Sequence, residues 1–577
     1  MRFLRRWRSK SPAKPNLDQA LVLHLSKSRI PGPRQLKYVG KFLSPLERVI
    51  VSCALIVAVV ALLFMGILYY KAHVELLPAQ GGTYIEGIVG NPQYINPLYA
   101  SLNDADADLE KLIFSRLFTR DSQDKVVGDL AESYTVADNG KTYTIVLKEA
   151  RWHDGDTLNS DDVAFSFNTI LNPDYKSPLR DRFNGVSVKT IDDRTVVFSL
   201  SEAYRDFPRL LDFGILPSTL WGAVSPQTVP LAEMNIKPIG SGPYRLKSLT
   251  KSKTGTIRSY VLERNESYYG QIPYIDELTF KFFPNAQEMI AAQNNGQLSG
   301  MSYLESGDME TIVAKNSLDY HQSALPELTS LYFNLKSKGI TADLKVRQAL
   351  SAAIDQTSIV EHSVGRWGIA AKTFIPSFMP GAKDVFTSDS NRVTDLLKSA
   401  GWEKVGEQWK KKDAVLSVNV VASERDKAVA EAVRSAWQSY GIETKLTIQD
   451  AEELAAGAAT NRQYEILLYA VEIPGGDPYF SWKSTSAANL SSWSRKDVDT
   501  ALEEARLVPN DEEAAKRYTL FQSAALEDIP AIPLFWKAYV YPQNKKVKGF
   551  ALSFLDDPSE RVSNAAHWYI RVRRSFK

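Results

Sequence analysis

The chain has 577 residues, which is too long for one domain, and its apolar and charged fractions are those of a globular protein rather than a disordered or fibrous one. Its formal net charge of +2 conceals an asymmetry, because residues 1–48 contain twelve Lys and Arg but only Asp18 and Glu47. The remaining chain carries 57 basic and 65 acidic residues, so it is acidic, and we predict no nucleic-acid partner.

An apolar segment follows the basic arm directly. Residues 49–70 contain no charged side chain, and as a helix they would extend about 33 Å, enough to cross a bilayer core of about 30 Å. Tyr69 and Tyr70 stand where an interfacial aromatic belt lies, and the basic side is expected to remain in the cytoplasm. We therefore predict a cytoplasmic arm over residues 1–48, a transmembrane helix in the lipid bilayer over 49–70 and a linker over 71–80.

A cleaved signal peptide is the alternative interpretation of this segment. Its apolar region normally spans about 7–15 residues behind a short basic leader, whereas the basic leader here has 48 residues. The only cysteine, Cys53, lies near the start of the apolar run, whereas a lipoprotein cysteine follows its apolar stretch. An uncleaved signal anchor is therefore favoured, and no disulfide can form within the chain.

Beyond Gly81 the chain alternates strand and helix patterns. Residues 132–136 and 142–147 are predicted to form a β-hairpin around Asn139-Gly140, because Asn-Gly favours the positive φ angles of a tight turn. Ser160 is predicted to cap the helix that follows.

A βαβ unit is predicted further along the chain. Residues 416–421 and 443–448 have strand patterns, and between them residues 426–440 have a helical pattern that Gly441 ends. Such units imply a parallel sheet covered by helices. The fold class is therefore α/β, in more than one lobe.

The sequence contains no familiar catalytic constellation. It lacks the zinc-protease, nucleophile-elbow and dinucleotide-binding motifs, and its six histidines show no metal-ligand spacing. His153 beside Asp154 is a candidate general base, but a surface turn over residues 152–156 is the favoured interpretation. We predict a protein that is not an enzyme, with no catalytic residue, no metal site and no cofactor.

Short motifs after residue 80 are specific as a set through their order and spacing. They are INPL at 95–98, LAES at 130–133, DNGKTYT at 138–144, RWHDGD at 151–156, SDDV at 160–163, GSGPY at 240–244, ERN at 263–265, YFN at 332–334, VRQAL at 346–350, AID at 353–355, ALED at 525–528 and IPAIPLF at 529–535. Together they resemble the dipeptide-, oligopeptide- and nickel-binding proteins of ABC importers, extracytoplasmic solute-binding protein family 5.

The resemblance implies an α/β, two-lobed periplasmic-binding-protein-like fold of class II, cluster C, with an extra subdomain and a preceding transmembrane helix. In this fold the chain crosses between the lobes twice, which suits hinge closure around a ligand. Three parts follow by alignment: lobe I over 81–109, 239–330 and 530–577, a subdomain over 110–238 packed on lobe I, and lobe II over 331–529.

The resemblance also implies where a ligand binds. In the family the peptide lies extended between the lobes and pairs with short protein strands, a form of recognition that is largely independent of side chains. The corresponding strand-like contacts here would come from Ser101, Leu102 and Asn103 and, across the cleft, from the loop Val471, Glu472, Ile473, Pro474, Gly475, Gly476 and Asp477.

This loop departs from the family pattern. Peptide-binding relatives usually carry a Trp and, a few residues later, an Asp that pairs with the peptide's α-ammonium. Aligned on Asp477-Pro478, these two positions hold Val471 and Pro474, and the carboxylates nearby are Glu472 and Asp477. Because Asp477-Pro478 is interpreted as a turn, the free N-terminus is expected to be recognised differently, or the ligand is not a standard dipeptide.

These implications predict a monomeric, membrane-anchored solute-binding protein of an ABC-type peptide importer, with its binding domain outside the cytoplasm. It would deliver short peptides to permease and ATPase subunits. One alternative is a peptide sensor or chaperone without transport, supported by the long arm, in which residues 21–25 would form a short helix that binds a partner. Another is a receptor for a non-peptide solute such as a nickel chelate.

Overall fold

The computed structural model of the chain describes residues 43–121, 123–313, 315–508, 510–552 and 555–576. Most of the predicted basic arm, with the proposed partner helix at 21–25, lies outside the described residues. The chain divides into two compact units, Met1–Leu77 with Val572–Lys577, and Pro78–Arg571.

The first unit contains the apolar segment as one long helix, α1 (Pro45–His73). Ser44 caps it in a reciprocal pair: the Glu47 carboxylate accepts from the Ser44 N–H at 2.8 Å, and the Ser44 hydroxyl accepts from the Glu47 N–H at 3.4 Å. The helix is long and apolar enough to cross a membrane, and none of its residues is buried by protein. It continues into strand β1 (Val74–Ala79), which pairs with the last strand of the chain.

The second unit begins with small sheets and helices. Its first strands are β2 (Thr83–Val89), β3 (Phe118–Arg120), β4 (Val126–Gly128), β5 (Ala131–Ala137), β6 (Thr142–Leu147), β7 (Ala150–Arg151), β8 (Thr157–Leu158), β9 (Val186–Asp192) and β10 (Thr195–Leu200). The helices among them are α2 (Asp104–Ile113), α3 (Ser160–Leu171), α4 (Phe207–Leu210) and α5 (Ser218–Trp221).

Longer strands and helices follow. The strands are β11 (Tyr244–Lys251), β12 (Ile257–Arg264), β13 (Glu277–Phe283), β14 (Gly300–Met301), β15 (Leu318–Phe333), β16 (Ile369–Ala370), β17 (Glu403–Val405), β18 (Gln408–Lys411), β19 (Ala414–Val415), β20 (Ser417–Ser423), β21 (Glu443–Gln449), β22 (Ile466–Glu472), β23 (Ala531–Asn544) and β24 (Arg571–Phe576). The helices are α6 (Ala286–Asn294), α7 (Ser306–Met309), α8 (Leu344–Ala352), α9 (Gln356–Ser363), α10 (Ser390–Ser399), α11 (Lys427–Gln438), α12 (Ala451–Leu454), α13 (Tyr479–Trp482), α14 (Lys496–Ala505) and α15 (Asp511–Asp528).

The predicted hairpin and βαβ unit are confirmed. Strands β5 and β6 pair antiparallel across a turn with positive φ at Asp138 and Gly140. Strands β20 and β21 pair parallel, with helix α11 between them in the chain. The predicted cap at Ser160 is wrong by one residue, because the Asn159 side chain accepts the amide hydrogen bonds at the start of α3. Ser160 is instead the first residue of that helix.

Two long strands join the lobes. Eleven strands form one mixed sheet, with the path β11-β12-β13-β2-β14-β23-β15-β22-β20-β21 and β16 added beside β23. Strands β15 and β23 are 16 and 14 residues long and pair antiparallel. Their pairing register shifts between Ala324 and Leu328, where Pro326 interrupts the ladder. This irregularity lies where the two strands pass from one core to the other.

Separate apolar cores lie on the two sides of this crossing. Leu328 and Leu331 of β15, with Ile532 of β23, belong to a core that also contains Trp437 and Trp482. The opposite ends of the two strands contribute to smaller clusters, and a second large core surrounds helices α2 and α3. These separate cores, with strands β15 and β23 running from one core to the smaller clusters within one mixed sheet, correspond to the predicted two-lobed α/β fold, which is confirmed.

Two of the motifs that carry the family resemblance, at 151–156 and 240–244, contact each other through hydrogen bonds. The main-chain N–H of His153 donates to the Gly240 carbonyl at 2.8 Å, its Nδ1 accepts from the Gly240 N–H at 3.3 Å, and its Nε2 donates to the Gly242 carbonyl at 3.1 Å. A β-carbon at Gly240 would lie 2.0 Å from the Ile113 carbonyl oxygen, which explains the glycine. The turn over residues 152–156 is at the surface as predicted, with Asp154, Gly155 and Asp156 exposed. The His153 side chain points inward from it, and both ring nitrogens contact backbone groups.

Candidate functional site

Strand β22 has a backbone edge that its neighbours leave partly uncovered. All seven of its residues pair with β15 on one side. On the other side β20 pairs only with Ile466 and Leu467. Among the described residues, the outer edge of β22 from Leu468 to Glu472 therefore faces no strand. An extended chain laid along this edge would form main-chain hydrogen bonds with it.

The predicted loop continues from this edge. Val471 and Ile473 are buried, whereas Glu472 and Pro474 are exposed. The N–H of Ile473 donates to the Pro326 carbonyl at 2.6 Å, which ties the loop to the irregular region of β15. Pro474–Gly476 form a single 3-10 turn, with φ of 60° at Gly475 and 74° at Gly476.

Asp477 ends this turn and has structural partners. Its Oδ1 accepts from the Tyr479 N–H at 3.0 Å, and its Oδ2 lies 3.1 Å from the Arg506 Nε. Burial raises the pKa of its carboxyl to about 6, although the Arg506 guanidinium acts in the opposite direction. The interpretation of Asp477-Pro478 as a turn agrees with this geometry, because the carboxylate is already occupied by its own chain.

Arg506 lies on an aromatic platform. Its guanidinium lies 4.3 Å from the ring centroid of Tyr479 and 4.6 Å from that of Tyr204. Both distances are those of cation–π contacts. Tyr204 follows β10 in the predicted subdomain, whereas Arg506 follows α14 in the predicted lobe II, so this cluster joins the two parts.

Neighbouring arginines strengthen the same junction. The Arg205 N–H donates to the Arg506 carbonyl at 2.9 Å, and the Arg205 guanidinium binds the Asp511 carboxylate. Arg209 of α4 contacts both carboxylate oxygens of Asp556 and lies 4.8 Å from the Phe378 ring centroid. Sequence reasoning missed these residues, because they stand about 300 positions apart and no local motif marks them.

The predicted contacts at Ser101, Leu102 and Asn103 have a different conformation from the one expected. Ala100–Leu102 form a 3-10 turn rather than a strand, and Asn103 caps α2 by accepting from the Ala105 and Asp106 N–H groups. Leu102 is 69% exposed. Of the three residues only Asn103 keeps the expected extended backbone, with φ of −147° and ψ of 127°, which is usual for an N-cap residue. Among the described residues, no hydrogen bond joins Ser101–Asn103 to the loop at 471–477.

The described residues include no group of three or more His, Cys, Asp or Glu placed to hold a metal ion. His153 is not poised as a general base, because burial lowers its pKa to about 4 and its ring nitrogens contact the Gly240–Gly242 turn. The geometry at β22 and its loop offers main-chain donors and acceptors beside an exposed carboxylate, Glu472. Such a surface suits binding of an extended polar chain.

Two lobes that are joined by two long strands, with a strand edge and loop at their junction, define the periplasmic-binding-protein class. The family described as bacterial extracellular solute-binding proteins, family 5 Middle, matches residues 125–491. The chain belongs to this family, and the resemblance read from its motifs is confirmed.

Known relatives cover most of the chain. It is similar to the dipeptide-binding protein of Escherichia coli, with 26% identity over 82% of this chain and 92% of the relative. It is similar at 26% identity to the oligopeptide-binding protein AppA of Bacillus subtilis, over 85% of this chain and 92% of the relative. The structure of that AppA in complex with a nonapeptide matches with a TM-score of 0.58 and 25% identity, over 86% of this chain and all of the other.

A structure of NikZ from Campylobacter jejuni in complex with Ni(L-His) is also similar. It matches with a TM-score of 0.60 and 25% identity, over 84% of this chain and 99% of the other. The family's fold thus accommodates ligands as different as a nonapeptide and a chelated metal.

Proposed function

We propose that the chain is the membrane-anchored solute-binding subunit of an ABC-type peptide importer, which captures short peptides and delivers them to permease and ATPase subunits. The observation that carries the proposal is the uncovered edge of β22 leading into the loop at 473–477. The names of the E. coli and B. subtilis relatives support a peptide ligand. Helix α1 supports the anchor, and the family supports an extracytoplasmic binding domain. We propose that this domain is monomeric.

The proposed organisation assigns lobe I to 81–109, 239–330 and 530–577, the subdomain to 110–238 and lobe II to 331–529. Within lobe I, Val572–Lys577 groups with the anchor helix. The ligand would lie between Ser101–Asn103 and the loop at 471–477. The 3-10 turn at Ala100–Leu102 would have to extend for both sides to pair with one peptide.

The proposal is tested by separating main-chain from side-chain recognition. Mass spectrometry of small molecules released from the purified chain first identifies a peptide. Calorimetry then compares this peptide with versions carrying one N-methylated amide or one changed side chain. We expect loss of a ladder N–H to weaken binding about fivefold to tenfold, because a typical hydrogen bond contributes about 1 kcal/mol, and side-chain changes to matter less. Side-chain changes that dominate would contradict edge pairing.

The likeness to the nickel–histidine complex supports a second candidate, a receptor for a chelated metal. A chelate supplies most of its own ligands, so it suits a site without a cluster of metal-binding side chains. Calorimetry with nickel–histidine, with histidine alone as the control, distinguishes the two. Binding of nickel–histidine by a chain that binds no peptide of two to nine residues would replace the peptide proposal.

A further inference from the structure

Strand β24, the last described strand, lies beside the C-terminal end of the apolar helix α1. Strand β1 begins at Val74, directly after α1 ends at His73, and it pairs with β24. The Arg574 Nη1 donates to the Tyr70 hydroxyl at 3.4 Å, and the Tyr70 and Phe576 rings meet edge to face with centroids 5.7 Å apart. From Val572 onward the C-terminal strand therefore belongs to the same compact unit as the helix.

This strand pair is strongly basic. Arg571, Arg573 and Arg574 are all exposed, and we call them the basic strand patch. Glu75 is the only acidic residue in 71–80 and 571–577. None of the ion pairs that the structure shows among its described residues involves the patch. Three arginines on one six-residue strand repel one another unless an anionic partner lies near them.

Apolar side chains accompany the charges. Leu76 is 58% exposed and Phe576 is 65% exposed, so both present apolar surface outside the buried cores. Exposed aromatic and aliphatic groups beside arginines are typical of the interfacial region of a bilayer, where apolar groups enter the acyl boundary and cations meet headgroups. Tyr69 and Tyr70 at the end of the apolar segment mark the same level.

We propose that the paired strands β1 and β24 form a docking surface for the headgroups of anionic phospholipids around the anchor. The arginines would contact lipid phosphates, and Leu76 and Phe576 would enter the headgroup region. The inference rests on the proposed membrane insertion of α1 and adds a second, charge-dependent contact with the bilayer. Such contacts between basic side chains and anionic lipid are short-ranged and screened by salt.

The test uses the full chain in nanodiscs. Cys53→Ser with Ser575→Cys creates a single labelling site on β24 for a fluorophore, and a lipid with a spin-labelled headgroup quenches it on contact. Discs of neutral phosphatidylcholine are compared with discs that also contain anionic phosphatidylglycerol. We expect stronger quenching in the anionic discs, and its loss at about 1 M salt, where the Debye length is about 3 Å.

Variants assign the effect to the patch. Arg573→Gln with Arg574→Gln should weaken the contact about thirtyfold, as removal of two surface-bound arginines predicts. The matched control, Arg258→Gln with Arg392→Gln, changes two exposed arginines elsewhere and should leave quenching unchanged. Retained binding of the identified ligand shows that both variants are folded.

Two results would overturn the proposal. Equal quenching in neutral and anionic discs would mean that the patch does not select anionic headgroups. Quenching that survives the double patch substitution would mean that other residues make the contact. Alkaline extraction of the same chain keeps this inference distinct from the anchor: a chain that stays in the membrane without lipid-dependent quenching refutes only the docking surface, whereas a chain that is released refutes both.

Discussion

At the scale of single residues, the loop after β22 shows how one ion pair decides what a carboxylate can do. Asp477 is the last residue of the loop at 471–477, and its carboxylate is buried beside Arg506 and accepts from the Tyr479 N–H. Pro474 offers neither charge nor N–H. Glu472 is the carboxylate of this loop that stays exposed.

Recognition of the peptide's N-terminus should therefore be weak. A carboxylate paired with the ammonium would contribute about 1.5–3 kcal/mol. We expect N-acetylation of a bound peptide to weaken binding less than about tenfold, or roughly 1.4 kcal/mol. Calorimetry on the free and acetylated forms of one peptide measures the difference. A loss of a hundredfold or more would contradict this expectation. The variants Glu472→Gln and Asp477→Asn, made separately, would then show which carboxylate binds the ammonium.

Although Arg506 is partly exposed, we expect it to contribute substantially to the stability of the folded chain. Arg506→Met removes the cation that faces the buried Asp477 and should lower the free energy of unfolding by about 2 kcal/mol, below the value for a fully buried pair because Arg506 is partly exposed. Adding Asp477→Asn removes the unpaired charge and should restore at least half of the loss. Urea unfolding measures both, and a double variant as unstable as Arg506→Met would contradict the ion-pair argument.

His153 predicts a pH dependence with a definite sign. Its pKa falls from its usual value near 6.5 to about 4 in the folded chain, mainly through burial. Between these values the unfolded chain binds a proton that the folded chain does not, so His153 costs stability as pH falls from about 6.5 to 4. Relative to His153→Gln, the wild type should lose on the order of 2 kcal/mol between pH 7 and pH 4.

The wild type must be compared with His153→Gln because other buried groups titrate in the same pH range. The raised pKa of Asp477, about 6, acts with the opposite sign: its proton is held better in the folded chain, so its contribution to stability grows as pH falls. The difference between wild type and His153→Gln in urea unfolding isolates the histidine. A difference that is constant with pH would show that the ring is protonated equally in both states.

At the scale of elements, helix α1 is stabilised by local sequence, whereas strands β15 and β23 are stabilised by pairing with each other. Helix α1 is specified by its own composition and by the reciprocal cap of Ser44 and Glu47. Strands β15 and β23 are specified by pairing across the chain, and Pro326 disrupts their ladder at the crossing. Because the Ile473 N–H binds the Pro326 carbonyl, the candidate loop is attached to this crossing.

The helix leads to a direct prediction for the anchor. If α1 crosses the bilayer uncleaved, the full chain should remain in membranes after an alkaline wash, whereas a chain that begins at Ala79 should be soluble, monomeric and folded. Fractionation followed by immunodetection measures this, and N-terminal sequencing of the membrane form is the control. Recovery of mature protein without residues 1–70 would show cleavage and contradict the anchor.

At the scale of the whole molecule, strands β15 and β23 run from the core that contains Trp437 to the smaller clusters that contain Leu318 and Leu325. We predict that the lobes close like a hinge across this crossing, and that a ligand favours the closed arrangement by its difference in affinity for the two states. Small-angle scattering of a chain that begins at Ala79 should show a smaller radius of gyration when a binding peptide is added. A peptide that binds tightly without changing the dimensions would contradict a hinged closure.

Much of this organisation was predictable from sequence. The apolar segment at 49–70, the hairpin around Asp138–Gly140 and the βαβ unit around α11 each follow from local periodicity and turn chemistry, which act over a few residues. The motifs identified the family because their order along the chain is specific. The cap at Asn159 and the 3-10 turn at Ala100–Leu102 were missed because neighbouring residues compete for the same backbone conformations.

The sequence by itself determined the long apolar helix, the fold class and the family, because composition, spacing and motif order are properties of the linear chain. Only the tertiary structure decided the fate of Asp477, since its partner Arg506 lies 29 positions away and its aromatic neighbour Tyr204 lies in another part of the fold. It also placed β24 beside Tyr70, joining the two ends of the described chain. Contacts of this kind close loops of 29 residues for the charge pair and of hundreds of residues for the aromatic and strand contacts, and no local pattern encodes them.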